Sequence, residues 1–404
     1  MRVFGLIVAL AAVLLMAVPA GAQSQDDLKA EMESIKKQLS QMEELKTRLA
    51  DLEKKLEEQK ATPSVSAGFP GEKAKIDGRI FTGIFDTGDQ GTSPNWSTDI
   101  NDAKLRFTFI PSANVTIVNR LSTTGAKSAD FDYFYLDYAL PKTTLRIGQR
   151  KLDVGQETWT DNPVENMLVT NAVSHISGYA TGIALVGKLG GSAPYEIGFM
   201  NGARGVMARP TSGLPFNMKI GTPLGSNTFG SLSYFNSGKI KASDKSGLSV
   251  AEVADAPAGS TEWKRSLWEL DLRYNYGNTG IRPLIPTGDL PRIMLGATCG
   301  SFGDNAVGAP DRDGKYWLVE SLYSLNNRLY AAARFSAVGL DDGVLAALGK
   351  SPVAVNSYRR TSIGLGYRLT NLTHLKTEYS FNDTSGGSPE PSLNQWALGL
   401  ASKF

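Results

Sequence analysis

An all-β transmembrane antiparallel β-barrel of about 16 strands, preceded by an N-terminal α-helical coiled coil, is the fold this sequence predicts. Three observations point to it: a secretory leader, a train of segments over 74–404 that alternate apolar with polar residues, and a last strand that alternates up to a terminal aromatic, Phe404. The alternation carries most weight. Side chains on a strand point to opposite faces with period two, and a wall with lipid outside and water inside needs one greasy and one polar face.

The leader comes first. Arg2 precedes an apolar run from Val3 to Val18, then Pro19 and the small residues Ala20-Gly21-Ala22. The run is short for a spanning helix and a cleavage site follows it, so residues 1–22 read as a signal peptide and not as a retained anchor. The mature chain is expected to begin near Gln23, where no cysteine stands for lipidation. With no other long apolar run and a mean hydropathy of −0.18, a helical membrane protein is excluded, whereas barrel strands look only half hydrophobic.

Residues 23–60 form the next unit. From Gln25 to Lys60 there is no Gly or Pro, and Leu28, Met32, Ile35, Leu39 and Met42 step by 4-3-4-3, a coiled-coil seam. Leu45, Leu49, Leu52 and Leu56 resume it after a repeated step of three, a stammer that overwinds the supercoil locally. The narrow stripe, flanked by Glu and Lys, favours self-association over a helix lying on a membrane surface. A Pro, Ser, Ala and Gly-rich hinge, 61–73, leads into the barrel.

Over 74–404 the alternation is clearest where charges occupy every second position. Asp102, Lys104, Arg106 and Thr108 interleave with Ala103, Leu105, Phe107 and Phe109, and Glu269, Asp271 and Arg273 with Trp268, Leu270, Leu272 and Tyr274. His374, Lys376, Glu378 and Ser380 interleave with Leu375, Thr377, Tyr379 and Phe381. Each set has one lipid face and one water face. Short connections such as 111–114 and 370–373 alternate with long polar ones such as 237–261 and 339–356, which fits periplasmic turns and external loops. Two stretches, 216–225 and 280–291, read poorly as strands.

The last strand sets Trp396, Leu398, Leu400 and Phe404 against Gln395, Ala397, Gly399 and Lys403. An aromatic end on such a strand resembles the signal by which the bacterial barrel-assembly machinery recognises its clients.

Composition excludes several classes of function. The formal charge of +2 falls to +1 when Arg2 leaves with the leader, too small a bias for nucleic-acid binding. Cys299 is the one cysteine, read as a buried thiol, so no intrachain disulfide and no haem-attachment motif is possible. Two histidines, His175 and His374, leave little for a metal site or a Ser/His catalytic pair, and His374 reads as a hydrated pore-lining residue. No enzyme and no cofactor is expected.

Candidate site residues cluster around one long segment, 152–179, which carries Asp153, Glu157, Asp161 and Glu165. Folded inward, it would narrow a wide lumen and oppose its acids to Lys104, Arg106, Arg120, Arg146 and Arg150 on the water face, a transverse field where solutes pass. Projected outward, it would leave those cations merely to hydrate the lumen. Spacing does not choose between the two.

Around this segment the chain resembles the phosphate-selective porin O and P family of Gram-negative bacteria. The resembling pieces are Phe131-Asp132-Tyr133-Phe134-Tyr135-Leu136-Asp137-Tyr138, Leu145-Arg146-Ile147-Gly148-Gln149-Arg150-Lys151, Gly155-Gln156-Glu157, Gly182-Ile183-Ala184-Leu185-Val186-Gly187 and Glu196-Ile197-Gly198-Phe199-Met200-Asn201-Gly202. The resemblance implies a 16-stranded homotrimeric porin of the bacterial outer membrane, its third loop folded inward and its helix in the periplasm. The leading expectation is therefore a passive channel for small hydrophilic solutes or ions, with an anion preference. Two rival readings stay open: a barrel that supports outer-membrane multihaem cytochromes in electron export, and a tether whose helix contacts peptidoglycan.

Overall fold

The computed structural model describes residues 73–86, 97–123, 130–155, 162–203, 210–250, 253, 255–274, 290–341, 356–385 and 394–404. The leader, the coiled-coil helix, most of the hinge, and the loop acids Glu157 and Asp161 lie outside those residues.

The wall opens with β1 (Lys73–Asp86), β2 (Ser97–Ser112), β3 (Val115–Thr123), β4 (Asp130–Ala139) and β5 (Thr143–Lys151). It continues through β6 (Ile176–Leu189), β7 (Ala193–Ala203), β8 (Phe216–Pro223) and β9 (Thr228–Asn236). Two short strands, β10 (Ile240–Lys241) and β11 (Leu248–Val250), come before β12 (Glu262–Tyr274), β13 (Ile293–Val307), β14 (Arg312–Ser324) and β15 (Leu329–Leu340). β16 (Ser357–Thr370), β17 (Thr373–Ser385) and β18 (Gln395–Lys403) complete it. β12 pairs with both β9 and β13, and β1 with both β2 and β18, so the sixteen long strands close antiparallel with no free edge. The expected strand count is met, and 216–223, which reads poorly in sequence, forms β8.

Alternation explains the wall. On β12, Trp268, Leu270, Leu272 and Tyr274 are exposed outward while Glu269, Asp271 and Arg273 are buried inward, and β17 repeats the pattern with Leu375 and Phe381 outside. At the seam, Phe404 exchanges two backbone hydrogen bonds with Gly78, at 3.0 and 3.1 Å. A Cβ on Gly78 would stand 2.5 Å from the Phe404 ring, so glycine there lets the terminal aromatic lie flat on β1.

The lumen is not uniformly wet. Leu152, Val154, Val173 and Ile176 pack with Leu248, Val250 and Val253 against Phe235, Leu267, Phe302 and Tyr316 of the inner wall. Met167 and Leu168 pack on Leu290, Met294, Leu322 and Tyr330, and Val164 and Val169 on Phe81, Ala397 and Ala401. The segment after β5 therefore folds inward.

So does part of 237–261, which the sequence reads as an external loop. β11 pairs with the start of β6, and Arg265 donates to the carbonyls of Leu248 and Val253 at 2.8 and 2.5 Å. Asp304 bridges Arg265 and Arg312, at 2.7 and 2.6 Å. The apolar groups of Leu248, Val250 and Val253 find a core inside the mouth that no external loop would offer them.

Two single-residue expectations change as well. Cys299 is exposed, because it shares the outward parity of Ile293 and Leu295 on β13. His374 is 1% exposed and buried on the inner face, not hydrated, because the inward segment covers this part of the wall.

Candidate functional site in the lumen

Position along the loop is set by wall groups that meet its backbone. Lys219 on β8 donates to Asp153 at 2.9 Å and to the Gly155 carbonyl at 2.8 Å, and Gly155 N–H donates to Ser233 Oγ at 2.9 Å. Gly155 has φ +64°, and a Cβ there would overlap the Glu269 carboxylate, so the chain can turn inward only at a glycine. Farther on, Val169 and Thr170 N–H both donate to Glu378 Oε2, at 2.8 and 2.7 Å, and the Thr170 hydroxyl to Oε1 at 2.7 Å. Arg334 donates to Thr170 O (2.9 Å) and Asn166 Oδ1 (2.6 Å), Arg360 to Asn171 O (3.1 Å), and Lys376 to the carbonyls of Pro163 (2.6 Å) and Asn166. The inward charges of β15, β16 and β17 hold the loop. They are buried.

What stays open lies against the other wall. A cavity of about 170 Å³ runs between β1–β5 and the loop, lined by Arg79, Lys104, Arg106, Arg120, Arg146, Arg150, Lys151 and Lys403, with Asp77 and Glu165 as its carboxylates. Tyr133, Tyr135 and Asn162 complete the lining. Cross-strand register builds the array: Arg106 stands opposite both Asp77 and Arg120, and Lys104 opposite Arg79.

Each guanidinium is braced by a carboxylate. Arg146 grips Asp137 with two hydrogen bonds, at 2.7 and 2.9 Å, Arg120 meets Asp132 at 2.8 Å, Arg106 meets Asp77 at 2.7 Å and Arg79 meets Asp102. Arg150 donates to Glu196 at 2.5 Å and to Asn217 at 2.8 Å. Arg120 stacks over the Tyr133 ring and Arg146 over Tyr135, 4.2 and 4.4 Å from the centroids. Against eight lining cations stand Asp77 and Glu165, plus Asp102, Asp132, Asp137 and Glu196 behind them, an excess of two positive charges (8 − 6).

All five wall cations expected from the sequence, Lys104, Arg106, Arg120, Arg146 and Arg150, line this one cavity. The described loop acids divide: Glu165 faces Lys403 at 3.4 Å across the slot, while Asp153 is buried against Lys219. Arg79, Lys151, Asp77 and the two tyrosines are lining residues that sequence reasoning missed. Asp77 and Arg79 alternate with Ile76, Gly78 and Ile80, so the parity of β1 was a usable signal for two of them. Among the described residues, no group of three or more His, Cys, Asp or Glu side chains could hold a metal ion.

No protein-family model matches the chain, and no curated protein matches it in sequence. Solved structures do match it in shape. The outer membrane channel DcaP of Acinetobacter baumannii superposes with a TM-score of 0.59 at 14% identity, covering 85% of this chain and 100% of that one. The fold is that of an outer-membrane porin. OmpT, an outer membrane protein of Vibrio cholerae, follows with a TM-score of 0.57 at 9% identity, over 84% and 99% of the two chains. An anion-selective porin from Comamonas acidovorans has a TM-score of 0.57 at 11% identity, over 82% and 100%. At these identities the porin likeness is one of fold.

Proposed function

We propose that this chain is an outer-membrane diffusion channel that passes small hydrophilic anions through the slot between β1–β5 and the inward loop. The observation that carries the reading is the one-sided lumen: apolar packing and loop-holding charges fill the side of β6–β18, and the open side is lined by eight cations. A permeating anion exchanges part of its hydration shell for guanidinium and ammonium donors. Those donors are already tied to fixed carboxylates and rings, so they hold their positions without reorganising and bind an incoming anion weakly enough to release it. No covalent step and no cofactor is involved.

The anion-selective porin from Comamonas acidovorans, which shares the fold, supports the same preference. The proposal extends to assembly. The chain forms a homotrimer, as one structure of the Vibrio protein is described in a trimer form, is inserted by the barrel-assembly machinery through Phe404, and keeps its N-terminal helix in the periplasm.

Reversal potentials in a salt gradient test the selectivity. Replacing Arg106, Arg120, Arg146 and Arg150 with Ser is expected to move the reversal potential toward cations, more strongly at low ionic strength, where screening is weaker. A quadruple variant with the wild-type anion preference would place the filter elsewhere.

A further inference from the structure

The lipid-facing side of β14–β18 carries a depression. The outward positions Ala331 and Ala333 of β15 are small, and register sets them beside Tyr323 and Ser321 of β14. They line an apolar groove of about 530 Å³ that crosses from Tyr323 on β14 to Trp396 on β18. Along β15 the small residues stop at Phe335, whose ring stacks on Trp317 with centroids 4.5 Å apart.

Register also sets the slope of this groove. Ser321, Ala333, Ile363, Tyr379 and Trp396 stand in one cross-strand row. At Ser321 the row lies three residues before Ser324, the end of β14, but at Trp396 it lies seven before Lys403, the end of β18. The groove therefore climbs from the rim into the membrane over four inter-strand steps, about 19 Å at about 4.8 Å each.

Its lower mouth is basic. Ser324 N–H donates to the Arg292 carbonyl at 3.0 Å, which puts Arg292 beside the end of β14. Arg328 closes the short turn 325–328 and stands three residues before Ala331, about 10 Å along the chain. Both arginines are exposed. Short turns mark the periplasmic rim of such a barrel.

We infer that this groove holds an acyl chain of an anionic phospholipid from the periplasmic leaflet, with the phosphate against Arg292 and Arg328. A groove left unfilled forfeits dispersion contacts along its lining, and an ordered chain restores them. Tails alone give little preference, because the surrounding lipid is as apolar as the wall. The headgroup supplies the selection, since guanidinium groups meet phosphate oxygens through charge-assisted hydrogen bonds. An apolar protein segment would fill the groove without using the two cations at its mouth. The inference rests on the barrel and its membrane setting, independently of what passes through the lumen.

Native mass spectrometry of the detergent-extracted full chain tests it, with dioleoyl phosphatidylglycerol and dioleoyl phosphatidylcholine as probes. Wild type is expected to retain one phosphatidylglycerol per protomer, on the order of tenfold more tightly than phosphatidylcholine, from two cations at the membrane surface. Combining Arg292→Gln with Arg328→Gln should bring phosphatidylglycerol to the phosphatidylcholine level. Ala333→Phe, which fills the groove and leaves both arginines, should abolish retention of either lipid. Heat-modifiable migration confirms that each variant has folded. Equal affinity for the two lipids in wild type, or unchanged phosphatidylglycerol retention in either variant, overturns the assignment. If Ala333→Phe splits an oligomer while lipid retention is unchanged, the groove is a protein contact and the assignment fails.

Discussion

Arg106 and Arg150 line the same cavity but stand in different environments. The Arg106 side chain is 41% exposed beside Asp77, whereas that of Arg150 is 1% exposed, with Glu196 and Asn217 holding its two terminal nitrogens. Arg106→Ser is therefore expected to shift the reversal potential toward cations with little loss of stability. Arg150→Ser strands Glu196 as a buried, unpaired carboxylate and should cost about 3–5 kcal/mol. Loss of the folded band on heating unboiled samples measures the second effect, and salt-gradient potentials the first. Equal shifts and equal stabilities would mean that exposure does not rank these two arginines. Cys299 and His374 show how far parity carries at this scale. Parity places each on its face, outward for Cys299 and inward for His374, but cannot tell that the inner face at His374 is covered.

At the scale of the element, the loop after β5 is a strap held by an ion pair of Lys219 with Asp153 near its start and, farther on, by wall charges that meet its backbone and uncharged side chains. Glu378 accepts three hydrogen bonds from Val169 and Thr170, and charged hydrogen bonds of this kind contribute roughly 1.5–3 kcal/mol each. Glu378→Ala should release the strap toward the slot or out of it, changing single-channel conductance and weakening the anion preference while the barrel still migrates as a folded band. Unaltered conductance and selectivity would show that Arg334, Arg360 and Lys376 suffice to seat the loop. The closing strand makes a separate prediction. Phe404 ties β18 to β1 through Gly78, so Phe404→Ser should lower abundance in the outer membrane while export across the inner membrane continues. Immunoblots of separated fractions decide it, and wild-type abundance would remove the terminal ring from any addressing role.

For the whole molecule, closure of sixteen strands pairs every wall strand on both sides, which predicts resistance to detergent and different migration of boiled and unboiled samples. Identical migration would contradict a closed barrel.

The wall was legible in the sequence because its rule is local: period-two alternation fixes which face each residue takes, and turn residues mark where strands end. The inward parity of Lys104, Arg106, Arg120, Arg146 and Arg150 was readable for that reason. Other outcomes depended on groups far apart in the chain. Glu378 meets Val169 across 209 residues, and Lys219 meets Asp153 across 66. A charged residue on an inner face has the same local pattern whether it meets water, an anion or the backbone of a folded-in loop. Sequence by itself determined that this chain builds a barrel with a charged interior. The tertiary structure alone decided which of those charges hold the loop and which were left facing the open slot, because that choice depends on where a nonlocal segment finds apolar surface to bury and donors and acceptors for its backbone.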